Sequence, residues 1–122
     1  MDQNRIISQL PALAEGEIFI GAYCGPDGRM TAFTLLPGDQ DSVTWAAALE
    51  WAKSIGGDLP NRVEALLLFV HAKGLFEERA YWACDHDENA WAWYQNFGYG
   101  PQYSLHKDDE LRARAVRRWI IQ

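Results

Sequence analysis

The sequence lacks the closely spaced cysteines that build a disulfide framework or a zinc site. Cys24 and Cys84 are its only cysteines, and they lie far apart in the chain with no C-x-x-C spacing. Cysteine-based metal and redox sites depend on such close pairs. We therefore expect two buried thiols that are not bonded to each other.

Long apolar runs are also missing. No stretch approaches the roughly 18 apolar residues that a membrane-spanning helix needs, and no basic segment followed by an apolar one begins the chain as in a secretory signal. These absences predict a protein of the host-cell or bacterial cytosol that makes no contact with a membrane. Assembly into a virion is the alternative location.

Basic residues are scarce in most of the chain. Lys and Arg number 11 against 17 Asp and Glu, which gives a formal net charge of −6. A protein surface with this excess of negative charge repels a phosphate backbone. The few basic residues near the C-terminus are also fewer than the roughly 6–10 phosphate contacts of a strong DNA-binding protein. A nucleic-acid ligand is therefore disfavoured. The basic strip consists of Lys107, Arg112, Arg114, Arg117 and Arg118.

Tryptophan is abundant, with six residues among 122. The apolar share of 48% and the charged share of 23% are those of an ordinary globular domain. We expect a short helix or docking arm over residues 1–15 and one domain over residues 16–122. Because an indole is large and carries an N–H group that needs a partner, some tryptophans should lie near the surface.

Two β-hairpins are predicted from runs of β-branched and aromatic residues around turn-forming segments. The first joins strands at 17–23 and 29–36, and the second joins strands at 81–84 and 90–97. Residues 111–119 begin with alternating apolar and polar positions, which indicates a strand that closes the sheet or a terminal helix.

Two helices are predicted between the hairpins. The first is capped by Asp41 or Ser42 and ends at Gly56-Gly57, and the second has a capping box formed by Asn61 and Glu64. Apolar residues at helical spacing predict the face that each helix buries. For the first helix these are Trp45, Ala48, Leu49, Ala52 and Ile55, and for the second they are Val63, Leu66, Leu67 and Val70.

A series of short landmarks follows the chain in a fixed order. They are Gly16-Glu17-Ile18-Phe19-Ile20, Leu36-Pro37-Gly38-Asp39-Gln40, the stretch 44–52, Gly56-Gly57-Asp58-Leu59-Pro60-Asn61, Tyr81-Trp82, Ala90-Trp91, Phe97-Gly98-Tyr99-Gly100 and Val116-Arg117-Arg118. This order, over about residues 16–119, resembles bacterial and bacteriophage C-type-lectin-like domains, a family long catalogued as being of unknown function. The resemblance implies an α+β fold with two helices packed on irregular antiparallel sheets, neighbouring termini and a long loop region that presents a non-catalytic binding surface. The Glu-Pro-Asn and Trp-Asn-Asp triplets of calcium-dependent lectin sites are absent.

Aromatic residues crowd the segment from Trp82 to Tyr103. A strand that is covered on one side buries only half of its side chains, so the remaining aromatic residues should be exposed. Exposed tryptophan and tyrosine are enriched where proteins bind partners. The predicted partner-binding residues are Trp93, Tyr94, Tyr99 and Tyr103.

An acidic turn interrupts the second hairpin. Its oxygen-bearing side chains are suited to calcium. The turn does not match the EF-hand loop, because the position that is glycine in an EF-hand falls on Ala90. A solvated turn is the simpler interpretation, and we expect no cofactor. The calcium candidates are Asp85, Asp87, Glu88 and Asn89.

Cys84 and His86 could form a thiol and base on one side of a strand. A nucleophilic site also needs an orienting group and an oxyanion site, and the sequence offers neither. We therefore expect a protein that is not an enzyme.

These features predict a binding module of phage or prophage type whose ligand is another protein, bound through residues 85–103. One alternative is a virion or surface component that binds a host receptor or glycan. Another is a small phage-encoded inhibitor of a host defence or nucleic-acid-binding protein, in which acidic residues would cover a basic groove. The oligomeric state stays open.

Overall fold

The computed structural model of the chain describes residues 3–122, which form an α+β fold of three α-helices and two sheets. The predicted α+β class is thereby confirmed. A single 3-10 turn at Lys73–Leu75 follows the third helix. The elements are α1 (Gln3–Ile7), β1 (Ile18–Cys24), β2 (Met30–Leu35), β3 (Gln40–Val43), α2 (Trp45–Ser54), α3 (Arg62–Ala72), β4 (Ala80–His86), β5 (Trp91–Asn96), β6 (Gln102–His106), β7 (Leu111–Ala113) and β8 (Val116–Ile121).

The strands form a three-stranded sheet in the order β1-β2-β8 and a five-stranded sheet in the order β3-β7-β4-β5-β6. Neighbours are antiparallel except β4 and β7, which are parallel where Tyr81 pairs with Arg112. Both predicted hairpins are confirmed, as β1-β2 and β4-β5. The segment 111–119 forms strands rather than a terminal helix, and β8 closes the three-stranded sheet.

The predicted N-terminal arm is a five-residue helix, α1, that docks on the end of β8. Ile6 is buried with Ala32 and Ile121, and the Arg5 guanidinium donates to the Gln122 carbonyl at 2.6 Å. The two ends of the described chain are therefore adjacent. Residues 1 and 2 of the predicted arm lie outside the described residues. None of the helices within residues 3–122 has the length and apolar character to cross a bilayer.

Helix α2 begins later than predicted. Asp41 and Ser42 belong to β3, which pairs with β7, so neither caps the helix. The Thr44 hydroxyl accepts from the Ala47 N–H instead. Of the predicted inner face, Trp45, Ala48 and Ala52 are buried, whereas Leu49 is half-buried and Ile55, which follows the last turn, is exposed.

Two tryptophans anchor the core between α2 and the five-stranded sheet. Trp82 is fully buried and its indole N–H donates to the Val43 carbonyl at 2.9 Å. The Trp45 indole donates to the Ala83 carbonyl at the same distance. Each buried N–H group is thus paired, which removes the penalty of burying an indole.

Helix α3 has the predicted capping box of Asn61 and Glu64, but the predicted inward stripe is wrong. The helix buries Glu64, Ala65 and Leu68. Three of the four residues expected inside are between 49% and 63% exposed, and the fourth, Leu67, is half-buried. The exposed residues, called the helix stripe below, are Val63, Leu66 and Val70.

The rotation of α3 follows from an ion pair between Glu64 and Arg118 of β8. The Glu64 carboxylate is fully buried and accepts two hydrogen bonds from the Arg118 guanidinium, at 2.7 and 2.9 Å. It also accepts from the Tyr23 hydroxyl at 2.8 Å and from the Asn61 N–H at 2.9 Å. Since a buried carboxylate without partners is very costly, Glu64 determines which side of the helix faces inward. The hydrogen bonds that Arg118 donates to Glu64 and Asp58 raise the pKa of its guanidinium.

A second buried pair joins Glu17 to Arg117 of β8. The Arg117 guanidinium donates to both Glu17 oxygens, at 2.7 and 2.9 Å, and the Thr34 hydroxyl donates as well. Burial raises the pKa of Glu17, but these hydrogen bonds outweigh it and lower the pKa to about 2.

The basic strip is directed into the protein rather than toward a ligand. All five of its side chains bond within the chain: Lys107 to the carbonyls of Asp87 and Asn89, Arg112 to Asp39 and Asp41, Arg114 to the carbonyls of Leu36 and Leu75, Arg117 to Glu17, and Arg118 to Asp58 and Glu64. The strip is therefore engaged within the chain and does not form a free basic surface.

Glu64→Gln should lower the free energy of unfolding by about 3 kcal/mol, because Arg118 then loses a buried charged partner. Glu50→Gln, on the exposed side of α2, is the matched control and should change it by less than about 0.5 kcal/mol. Urea unfolding of both variants measures the difference. Equal unfolding midpoints would contradict the assigned role of Glu64.

Glu17→Gln should reduce the dependence of the free energy of unfolding on pH in the acid range. The pKa of Glu17 lies below its ordinary value of 4.5 in the folded state, so its contribution is present above about pH 4.5 and is lost as pH falls toward 2. At neutral pH the contribution amounts to roughly 3 kcal/mol. Urea unfolding at a series of pH values should show the two proteins converging near pH 2. A constant difference across that range would refute the linkage.

Candidate functional site

Strand β5 presents aromatic side chains on both faces of the five-stranded sheet. Ala92 and Tyr94 face α2 and pack in the core beneath it. Gln95 lies on the opposite, outer face, where it is fully buried, and Phe97 beyond it packs against Phe69 of α3. The outer face is therefore covered at its α3 end and open at the other.

The open part of the outer face holds two indoles. Trp91 is 47% exposed and Trp93 is half-buried. Across the strand pair, Ser104 lies opposite Trp93 and His106 lies opposite Trp91, with the Trp91 and His106 rings 5.8 Å apart. These four residues are called the aromatic shelf below. Asp87 borders a shallow open depression on it.

Arg62, the first residue of α3, connects the aromatic shelf to the helix stripe. Its guanidinium carbon lies 3.6 Å from the centroid of the Trp93 ring, and its Nε donates to the Gln102 side chain at 3.0 Å. The Gln102 amide donates in turn to the Arg62 carbonyl at 2.7 Å. A cation stacked on an indole contributes roughly 0.5–2 kcal/mol and here holds the Trp93 ring in place.

The β5–β6 turn is held beneath α3. Gly100 has a φ of 100°, and a Cβ at this position would lie 3.2 Å from the Phe69 ring. The Gln95 side chain donates to the Gly100 carbonyl at 2.7 Å. Only glycine fits this conformation and this close approach, so the turn is fixed relative to the helix.

The four predicted binding residues do not share one surface. Trp93 belongs to the aromatic shelf, whereas Tyr94 and Tyr103 lie across from each other on the opposite face, with ring centroids 6.3 Å apart. Tyr99, at the tip of the β5–β6 turn, is 90% exposed. Two separate aromatic surfaces therefore flank the edge of the sheet.

Several residues of this region were missed by sequence reasoning. Ser104 and His106 were not placed in the site, because β6 was not recognised as a strand, and Arg62 was missed because its contact with Trp93 joins residues distant in sequence. The sequence of β6, 102–106, alternates polar and apolar side chains over five residues, which is the signal that would have revealed the strand.

Two carboxylates of the acidic turn are engaged by backbone N–H groups. Asp87 accepts from the Asn89 and Trp91 N–H groups, and Asp85 accepts from the Arg62 N–H. The hydrogen bond from the Trp91 backbone is the main cause that lowers the pKa of Asp87. The Lys107 ammonium donates to the Asp87 and Asn89 carbonyls, at 3.0 and 3.1 Å.

In residues 3–122, no three His, Cys, Asp or Glu side chains converge as a metal site would require. Glu88 is exposed beside the turn. Calcium binding by Asp85, Asp87, Glu88 and Asn89 stays a prediction.

Cys84 and His86 are held by different partners. Strand β4 has an irregular register between Trp82 and His86, and the Cys84 Sγ lies 3.8 Å from the Asp85 carboxylate. The His86 ring packs on Trp45 at 4.5 Å, and its Nδ1 lies 3.0 Å from the Lys107 ammonium. Burial raises the pKa of Cys84 to about 12, so the thiol is protonated at neutral pH.

The expectation of two buried thiols is wrong for Cys24. Cys24 ends β1 at the hairpin turn and is exposed, whereas Cys84 is half-buried, and both are free.

Comparisons with known proteins find no family model and no curated protein that matches this chain.

Thiol labelling at pH 8 should separate the two cysteines. The Cys84 thiol should react at least about a hundred-fold more slowly than that of Cys24, because it is sheltered and its raised pKa leaves little thiolate. A Cys24→Ser variant assigns the two rates, and urea should equalise them. A fast-reacting Cys84 in the folded protein would contradict this geometry.

Proposed function

We propose that this chain is a non-catalytic binding module that captures a protein partner on the aromatic shelf and the helix stripe. The observation that carries the proposal is the contact of Arg62, the first residue of α3, with the Trp93 ring, which places the start of the helix that bears the stripe beside the aromatic shelf. Adjoining apolar surface of this kind is characteristic of interaction sites.

The energetic argument centres on Trp91. Covering its exposed part would remove on the order of 100 Å² from water, which contributes roughly 2–3 kcal/mol. Trp93 is already held in place by Arg62, so a partner would meet a pre-ordered surface and lose little conformational entropy there.

A macromolecular partner fits this surface better than a small molecule does. The shelf is open and shallow, with Asp87, Trp91, Trp93 and Ser104 around its depression, whereas small ligands bind in clefts that enclose most of their surface. The helix stripe, on an exposed helix face, likewise suits a broad contact.

The proposal extends to the C-type-lectin-like class of phage or prophage type. Helices α2 and α3 pack on largely antiparallel sheets, and the two ends of the described chain lie together at Arg5 and Gln122. Both features agree with what the resemblance in sequence implies.

A glycan is the second candidate ligand. The exposed Trp91 ring lies beside the Asp87 carboxylate and the Ser104 hydroxyl, and this combination of an aromatic face with polar groups also suits a sugar ring.

Trp91→Ala and Leu66→Ala should each weaken capture of the partner by about ten-fold or more, because each removes exposed apolar area from the surface. The matched control is Ile120→Ala, since Ile120 is 46% exposed on the three-stranded sheet. Quantitative mass spectrometry of proteins retained from source-cell lysate, with circular dichroism to verify folding, measures the effect.

Equal retention of every captured protein by all three variants would refute the proposed surface. Binding of the wild-type chain to a glycan array, lost in Trp91→Ala while no protein is retained, would replace the protein ligand with a sugar.

A further inference from the structure

The outer edge of β6 is the least protected sheet edge among the described residues. Strand β6 is five residues long, pairs with β5 in an unbroken register and contains no proline, lysine, arginine, aspartate or glutamate. Free edges usually carry such residues or irregularities, because an exposed row of backbone N–H and C=O groups invites another strand.

The other three edges show those protections. Strand β3 has four residues, an irregular register and a positive φ of 53° at Ser42. Strand β1 has an irregular register between Phe19 and Gly21. Strand β8 carries Arg117 and Arg118, and its first residue, Val116, already bridges to Asp58. The contrast singles out β6.

The hydrogen bonds at the two ends of the β5–β6 pair define which groups of β6 face outward. The Asn96 N–H donates to the Pro101 carbonyl at 3.0 Å, and the Lys107 N–H donates to the Ala90 carbonyl at 2.7 Å. Antiparallel pairs alternate between bonded and non-bonded positions. Tyr103 and Leu105 therefore direct their backbone groups toward β5.

The intervening residues of β6 direct their backbone groups away from the sheet. These are the N–H groups of Gln102, Ser104 and His106 and the C=O groups of Gln102 and Ser104. The His106 carbonyl accepts from the Asp109 N–H at 2.9 Å, so the turn after β6 uses it. The row is long enough for an added strand.

The side chains beside this edge favour a partner strand with apolar residues at alternate positions. On the outer face, Ser104 is small and leaves the indoles of Trp91 and Trp93 open toward the edge. On the inner face, Tyr103 is more than half exposed. A long apolar side chain on an added strand could therefore reach over Ser104 to the aromatic shelf.

Negative charge collects at the C-terminal end of β6. Asp108, Asp109 and Glu110 are exposed after Lys107, the residue that follows the strand and whose ammonium bonds to the carbonyls of Asp87 and Asn89. The turn containing Asp87 and Glu88 lies beside them, because the Lys107 N–H binds the Ala90 carbonyl. Lysine or arginine at this end of a bound segment would be attracted to these carboxylates.

We propose that the partner binds as an additional strand on β6, through an extended segment with alternating long apolar side chains and a lysine or arginine beside residues 108–110. This inference rests on the proposed protein-binding function and specifies its mode, since backbone hydrogen bonds give affinity while side chains at alternate positions give selectivity.

A second copy of this chain fits the edge less well. Antiparallel pairing of two β6 strands would place Gln102, Ser104 and His106 of each copy on the outer face. These side chains are polar, so the indoles of the aromatic shelf would stay uncovered. An unlike partner is therefore the occupant that the surface favours.

The test uses peptides selected from a random displayed library against the immobilised chain. The tightest peptide is synthesised in three forms. One is unmodified, the first methylated form carries N-methyl groups on the alternate amides that would face β6, and the second carries them on the intervening amides. The first methylated form should bind at least about thirty-fold more weakly, because it loses several backbone hydrogen bonds, and the second should bind like the unmodified peptide.

The protein offers a matched pair for the same test. Ser104→Pro removes an outward N–H that does not bond to β5, whereas Ser104→Ala keeps it. We expect the proline variant to bind at least about ten-fold more weakly than the alanine variant, because both lose the Ser104 hydroxyl on the aromatic shelf and only proline also loses the outward N–H. Should the proline variant fail to fold, the methylated peptides still decide the question.

Three outcomes separate this inference from the proposed function. Binding lost in Trp91→Ala but equal for both methylated peptides would overturn strand addition and leave the aromatic shelf as the binding site. A library that yields no binding peptide would overturn strand addition, while a lysate protein retained by the wild-type chain and lost in Trp91→Ala would still support the proposed function. A stable dimer in sedimentation, abolished by Ser104→Pro, would make a second copy the occupant and overturn the partner proposed here.

Discussion

The buried ion pair between Glu64 and Arg118 is the interaction on which the surface of this protein depends. A buried ion pair contributes little net stability compared with well-packed apolar residues, yet an unpaired charge in the same place is costly. Here the ion pair determines which side of α3 faces the core. With Glu64 bonded to β8, Ala65 and Leu68 face the core while Leu66 and its neighbours in the helix stripe face outward. The same rotation places Arg62 on Trp93, so one polar contact orders both exposed apolar surfaces.

The distribution of charge reinforces this arrangement. The arginines of β7 and β8 pair with acidic groups or carbonyls inside the chain, and Lys107 closes the acidic turn. Carboxylates such as Asp108, Asp109 and Glu110 stay exposed beside β6. A surface that combines apolar side chains with unneutralised negative charge favours a partner that is both apolar and basic. The ligand proposed for the β6 edge has these two properties.

Local signals in the sequence were sufficient for most of the secondary structure. The Gly-Pro-Asp-Gly turn, the second hairpin and the capping box at Asn61 depend on contacts between residues near in sequence, and all three are present. The rotation of α3 was not predictable in this way, because its leucines, valines and alanines make it apolar on nearly every side. The partner of Glu64 lies 54 residues further along the chain. The internal partners of the basic strip were not predictable for the same reason, since they are distant in sequence.

The candidate site was only partly predictable. The aromatic segment was recognised, and the alternation of Trp91, Trp93 and Gln95 on one face of β5 is present in the structure. Which end of that face is open depends on how α3 crosses it, and this is a tertiary property. The free edge of β6 is likewise defined by sheet order, which no local pattern reveals.

The most direct test of the account is a side-chain NMR measurement of solvent exposure on the unmodified protein, using a soluble paramagnetic gadolinium chelate. The account predicts strong relaxation enhancement for the methyl groups of Val63, Leu66 and Val70 and for the Trp91 indole, with Ala65 and Leu68 protected. Weak relaxation enhancement for Val63, Leu66 and Val70 together with strong enhancement for Leu68 would contradict the account. Helix α3 would then have the rotation that its apolar periodicity alone predicts.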